Sequence, residues 1–275
     1  VCRLMLSWVD GQPAELLSIT DRGLAYGDGL FETIAVNAGQ PSLLERHLAR
    51  LAEGCTRLHI PVDLSSVRAQ LLAFSQQLGA GVVKLMLTRG DGQRGYALPQ
   101  PMQSRLILQA AAKPLYPSAH AEQGVRLFPC TTRLAEQPLL AGLKHLNRLE
   151  QVLARSEWQD AEHAEGLMQD VSGRVIEGVY SNLMLVSAGV LITADLSRCG
   201  VAGVMRAELL EQAAVLGVEC QVRDISYAEL LAADEVMLCN SLYGVWPVRA
   251  LRAHDWPVGP LTRKLQAIAR DLLDC

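Results

Sequence analysis

The stretch "LAGLKHLNRLEQVLARSEW" (Leu140–Trp158) sets a single lysine, Lys144, ahead of an amphipathic run. Asn147, followed three residues later by Glu150, is a capping-box pattern and predicts a helix over about 147–158. Leu149, Val152, Leu153 and Ser156 recur at helical spacing and form its expected inward stripe. Lys144 would then stand just outside the positive end of a helix dipole, where a cation is disfavoured. Desolvation there lowers an amine's pKa further and makes the neutral nucleophile accessible, the more so if His145 and Arg148 point inward. Taken alone, the stretch leaves two readings open: a solvated loop lysine or a nucleophile.

On either side the pattern mixes strands and helices. "RLMLSWV" (3–9), "VVKLMLTR" (82–89) and "SRLILQAAA" (104–112) are short apolar runs rich in strand formers. Between the first two, Leu44, His47, Leu48, Leu51 and Cys55 mark one face of a helix, and residues 64–78 give a second. "KPLYPSAHAEQG" (113–124), with two prolines among small and polar residues, reads as a linker. Strands are expected at 125–130, 165–170, 174–178, 181–187, 190–193, 218–224, 235–240 and 245–250, and helices at 204–216, 226–232 and 259–273. This is an α/β (α+β) chain with an N-terminal domain over 1–112 and a C-terminal domain over 125–275, a ligand cleft being expected between them.

The 275 residues, half of them apolar, suffice for a large core. A net charge of −4 and the lack of a long basic run point away from nucleic acid as a partner. Seven cysteines, at 2, 55, 130, 199, 220, 239 and 275, show neither ligand spacing nor an even count. Reduced thiols in a cytoplasmic protein are the expectation, with no metal. The first apolar run, broken by Asp10, is too short to span a membrane.

"GDGQRG" (90–95) matches a dinucleotide-binding fingerprint, but Pro99 and Pro101 forbid the helix that must follow it. A glycine-rich, mobile loop carrying Arg94 is the better reading. Three other positions carry chemistry. Glu177, in "VIEGVY", is either a surface charge at a strand end or a buried partner for a protonated nitrogen. Gly203 opens a helix whose Val204 and Met205 amides make either an anion site or an ordinary helix start. Arg50 either faces solvent or joins such an anion.

Seven segments stand in order: "DRGLAYGDGLFETIAV" (21–36), "LLERHLARL" (43–51), "LTRGDGQRGY" (87–96), "LAGLKHLNRLEQVLAR" (140–155), "VIEGVYSNLMLV" (175–186), "GVAGVMR" (200–206) and "DEVMLCNSLYGVWPV" (234–248). Together they resemble the fold-type IV pyridoxal phosphate enzymes, the class IV aminotransferase family. The resemblance implies pyridoxal 5'-phosphate as cofactor, a smaller N-terminal α/β domain, a larger C-terminal pseudo-barrel domain, a homodimer, and a small-molecule amine substrate. Residue by residue, Lys144 matches the Schiff-base lysine and Glu177 the carboxylate on the pyridine nitrogen. Arg50, the amides of Val204 and Met205, and Ser241 match the phosphate contacts, and Arg94 matches a substrate-carboxylate arginine. Phe31 stands where the D-amino acid transaminases have a tyrosine. "KHLNRLEQ" after the lysine resembles the lyase branch more than the D-amino acid or branched-chain transaminases, which are the alternative. A non-catalytic protein on this fold would be expected to have lost Lys144 or the phosphate cradle.

Overall fold

The computed structural model describes residues 6–274 and divides into two compact units. The chain passes from the first to the second between Pro114 and Leu115, and Leu143–Asn147 returns to the first. The part of "RLMLSWV" before Leu6 lies outside the described residues, as do Cys2 and Cys275.

The first unit contains β1 (Ser7–Val9), β2 (Gln12–Pro13), α1 (Arg22–Tyr26), β3 (Gly29–Asn37), β4 (Gln40–Pro41), α2 (Leu44–Leu58), α3 (Leu64–Leu78), β5 (Gly81–Thr88) and β6 (Arg105–Ala111). Its six-stranded sheet has the order β2-β1-β6-β5-β3-β4 and is antiparallel throughout. Alternation along β3 sends Leu30, Ile34 and Val36 into a core with Leu51 of α2 and Leu71 and Phe74 of α3. The helical stripe through His47, Leu48, Leu51 and Cys55 is buried as its spacing requires. Asp63 caps α3 by accepting from the Ser65 and Ser66 amides, which sets its start.

The second unit contains α4 (Ser118–Glu122), β7 (Val125–Leu134), α5 (Leu149–Arg155), β8 (His163–Asp170), β9 (Val175–Gly178), β10 (Asn182–Ser187), β11 (Val190–Ala194), α6 (Val204–Val215), β12 (Cys220–Arg223), α7 (Tyr227–Leu231), β13 (Glu235–Asn240), β14 (Gly244–Leu251), β15 (His254–Asp255) and α8 (Pro260–Asp274). The stretch 113–124 therefore includes a short helix. The nine-stranded sheet runs β12-β11-β10-β13-β14-β7-β8-β9, with β15 paired to β14 off this path, and β9 pairs back onto β10. The strands from β10 round to β9 thus close on themselves as a barrel, with Leu127, Leu167, Leu185, Leu238 and Trp246 in its core cluster. Closure rests on one register pair, Asn182 opposite Glu177.

The opening stretch differs from its sequence reading. The helix there spans only Leu149–Arg155, and its N-cap is Arg148, with no side-chain cap. Asn147 instead gives its side-chain amide to the Gly27 carbonyl at 3.0 Å, and Glu150 accepts from the Ala135 amide at 2.7 Å. Both side chains of the expected box are thus taken by long-range partners. The stripe is turned outward too: Leu149, Val152 and Leu153 are 75, 60 and 59 % exposed, while Ala154 and Trp158 are buried. The helix is thus shorter than its sequence reading and begins five residues past Lys144 in the chain.

Candidate active site

In the first unit, Lys144 is fixed by backbone pairing with β3. The Phe31 amide donates to the Lys144 carbonyl at 2.9 Å, the Leu146 amide donates to Gly29 at 3.0 Å, and Leu30 bridges His145. This pairing carries the Lys144 side chain onto Phe31, with Nζ 4.3 Å from the ring centroid. An aromatic face attracts an ammonium. Lys84 of β5 approaches the same ring at 5.7 Å, a neighbour the sequence did not suggest.

The next residue of β3, Glu32, points to the opposite face, into the buried side of α2. It accepts from His47 Nδ1 at 2.6 Å and from Arg50 Nε at 2.8 Å, and a further ion pair joins it to Arg50 Nη2. Burial raises the Glu32 carboxyl, but the Arg50 charge and the His47 hydrogen bond outweigh it and hold it at about 2. His47 is pushed down by burial, more than Glu32 pulls it up. A neutral His47 donating through Nδ1 and a charged Glu32 follow. Arg50 is thereby locked in one orientation by Glu32 and His47, two neighbours that sequence reasoning missed. Only spacing gave a signal: i, i+3 on α2 puts His47 and Arg50 on one face.

Arg94 lies exposed in the loop between β5 and β6, and no helix follows the glycines. The loop is tied down by Arg22, which donates to the carbonyls of Gly95 at 3.1 Å and Ala97 at 3.4 Å while its Nε holds Asp28 at 2.9 Å. The Tyr26 hydroxyl accepts from the Gly95 amide.

In the second unit, Glu177 is only 4 % exposed, so it is not a surface charge at a strand end. Its Oε2 accepts from the Val201 amide at 2.9 Å and from Asn182 Nδ2 at 3.3 Å. Asn182 also donates to the Val201 carbonyl at 2.8 Å. Gly142, two residues before Lys144 in the chain, donates to the Gly200 carbonyl and accepts from the Ala202 amide. The glycines here are required by space. A Cβ on Gly203 would lie 1.9 Å from Asn182 Oδ1, and one on Gly200, at φ +83°, 2.7 Å from Leu196. Gly203 opens α6 with extended backbone and no side-chain cap, leaving the first amides for another acceptor. Ser241 is half-buried in the turn after β13, where Asn240 Oδ1 accepts from the Leu242 and Tyr243 amides.

The sequence-expected residues therefore fall into two groups: Lys144, Phe31, Arg50 and Arg94 in the first unit, and Glu177, Val204, Met205 and Ser241 in the second. The amine and the oriented guanidinium of the first unit, and the buried carboxylate and uncapped helix start of the second, are each the kind of group that a phosphorylated pyridine cofactor needs. Residues 29–251 match the model of the class IV aminotransferase family, and the chain belongs to that family. Its cofactor is pyridoxal 5'-phosphate.

The lyase branch emerges from particular relatives. A crystal structure of 4-amino-4-deoxychorismate lyase from Pseudomonas aeruginosa superposes with a TM-score of 0.97 at 67 % identity, covering 98 % of this chain and all of that one. The aminodeoxychorismate lyase of Vibrio harveyi is 39 % identical over 94 % of this chain and 97 % of its own length. The D-alanine aminotransferase of Listeria monocytogenes is 26 % identical over 90 % of this chain and 88 % of its own length.

Proposed function

We propose that the chain is a pyridoxal phosphate-dependent lyase that converts 4-amino-4-deoxychorismate into 4-aminobenzoate, a folate precursor, and pyruvate. The carrying observation is the 67 % identity, at a TM-score of 0.97, to the Pseudomonas aeruginosa lyase. When bound, the cofactor supplies an electron-withdrawing ring that stabilises negative charge at the carbon bearing the amine.

Each protein group then has a defined task. Lys144 would hold the cofactor until the substrate's amine displaces it, and its Nζ, freed as an amine, would then take the proton from C4 of the substrate. The C–O bond to the enolpyruvyl group breaks and the ring becomes aromatic, which supplies driving force. Lys144 returns a proton to the departing enolpyruvyl carbon. Glu177 keeps a proton on the ring nitrogen, and its burial gives that charge pair its strength. Arg50, the Val204 and Met205 amides and Ser241 neutralise the phosphate. Arg94 receives a substrate carboxylate, and Phe31 offers an apolar face beside Lys144.

A homodimer accompanies this reading. The outward row of Leu149, Val152 and Leu153 on α5 is an apolar surface that a second copy would cover. The five cysteines among the described residues are free, which fits a reducing cytoplasm. Among the described residues no helix is long and apolar enough to cross a membrane.

Mixing protein, cofactor and aminodeoxychorismate should release pyruvate and 4-aminobenzoate in equal amounts. Rapid keto-acid exchange between D-alanine and 2-oxoglutarate, with no 4-aminobenzoate formed, would instead establish the transaminase alternative that the 26 % relative represents.

A further inference from the structure

Glu165, on β8, is a completely buried carboxylate for which the proposed chemistry has no task. It has no ion-pair partner among the described residues, so its charge is met only by neutral donors. Oε1 accepts from the amides of Gly166 at 2.8 Å and Val179 at 3.0 Å. Oε2 accepts from Ser181 Oγ at 2.6 Å and the Tyr180 amide at 3.3 Å. Three consecutive residues, Val179 to Ser181, are thus gathered on one carboxyl group. They form the turn between Glu177 of β9 and Asn182 of β10, the pair that closes the barrel. Within the turn the Gly178 amide donates to the Ser181 carbonyl at 2.7 Å, and a Cβ on Gly178 would stand 2.3 Å from Ser181 Oγ and 2.9 Å from the Glu165 carboxyl.

The same turn is tied to a second one. Asn240 Nδ2 donates to the Tyr180 carbonyl at 3.4 Å while its Oδ1 accepts from Leu242 and Tyr243, the turn that contains Ser241. An unneutralised buried carboxylate is costly, and burial pushes this one up to about 7 against the pull of its donors. A neutral apolar side chain in its place would leave the inward-pointing amides of Val179 and Tyr180 unpaired, so the turn could not keep this shape.

We propose that Glu165 is a positioning residue that sets the ring-nitrogen carboxylate Glu177, and through Asn240 the phosphate-side Ser241, by organising the Gly178–Ser181 turn. The proposal rests on the cofactor assignments above and concerns how they are held in place. Glu165→Gln keeps the shape but replaces one acceptor with an amide donor aimed at the Tyr180 amide. Ser181→Ala keeps the carboxylate and removes one donor.

The test follows pyridoxal phosphate binding by its visible absorption band, the pH midpoint of that band in the holoenzyme, and the melting temperature of the cofactor-free protein. Glu165→Gln should raise the cofactor dissociation constant about tenfold, and Ser181→Ala by a smaller factor in the same direction, as expected for lost hydrogen bonds to a charged group. Glu165→Gln should also move the pH midpoint, and Glu165→Asp should restore part of both. Unchanged affinity and midpoint in the variants, with or without a lower melting temperature, would overturn the positioning role. Should Glu165→Gln not fold, unchanged affinity in Ser181→Ala would overturn it equally. A wild-type protein with no visible band would instead sink the cofactor reading itself, a distinguishable outcome.

Discussion

Glu177 and Asn182 are register partners that close the barrel, and the Asn182 side-chain amide donates to the Glu177 carboxylate at 3.3 Å. The residue proposed to hold the ring nitrogen is therefore also the last stitch of the fold. Its burial follows from closure, since Glu177 meets β8 at Met168 on one side and β10 on the other.

Asn182→Ala removes a donor to Glu177 and another to the Val201 carbonyl. The expected cost is about 1–3 kcal/mol, seen as cofactor affinity weakened by roughly tenfold or more in a titration of the visible band. Gly203→Ala should act in the same direction, because its Cβ would collide with Asn182 Oδ1.

Lys144→Ala should abolish both the visible band and the release of 4-aminobenzoate while leaving the fold intact. The Phe31 amide bonds to the backbone carbonyl at position 144, which the substitution retains. Circular dichroism and the melting temperature of the cofactor-free protein check the second half of the statement.

Acid should destabilise the first unit through Glu32 and His47. Glu32 falls from 4.5 unfolded to about 2 folded, so its contribution is complete above pH 4.5 and is lost as pH falls toward 2. The size is about 3 kcal/mol at ~1.4 kcal/mol per pKa unit. His47, lowered from 6.5, is protonated more readily in the unfolded chain, so stability already begins to fall as pH drops through 6.5. Glu32→Gln should lower stability at neutral pH and flatten the loss between pH 4.5 and 2. Denaturant melts across that range decide the matter.

The outward stripe of α5 predicts the behaviour of Leu153→Asp. A charge at a 59 %-exposed apolar position costs little in a single chain but is disfavoured in an interface core. Sedimentation velocity should show a shift from dimer toward monomer. A wild-type chain that sediments as a monomer would end the dimer reading.

Much of the chain is legible locally. The 3.6-residue spacing of α2 and α3, the strand-forming runs of β5 and β6, and the glycine-led start of α6 lie where the sequence puts them, because periodicity and turn chemistry act over a few residues. The dinucleotide fingerprint is excluded for the same reason: two prolines decide the matter within one turn. The α5 reading fails where local signals compete with distant partners. Asn147 and Glu150 look like a cap and serve as tethers to Gly27 and Ala135. The apolar stripe of α5 obeys helical spacing, but spacing cannot say which face turns inward.

By itself the sequence determined the family, read from short segments in order, and with it the residues proposed for the cofactor site. The tertiary structure alone decided that Glu177 is buried, that Asn182 is its partner, that Glu32 and His47 orient Arg50, and that Glu165 gathers the turn at the seam. Each of these depends on pairing between strands or helices distant in the chain. A carboxylate's solvation and partners are set by what the fold brings beside it, and no local pattern encodes that.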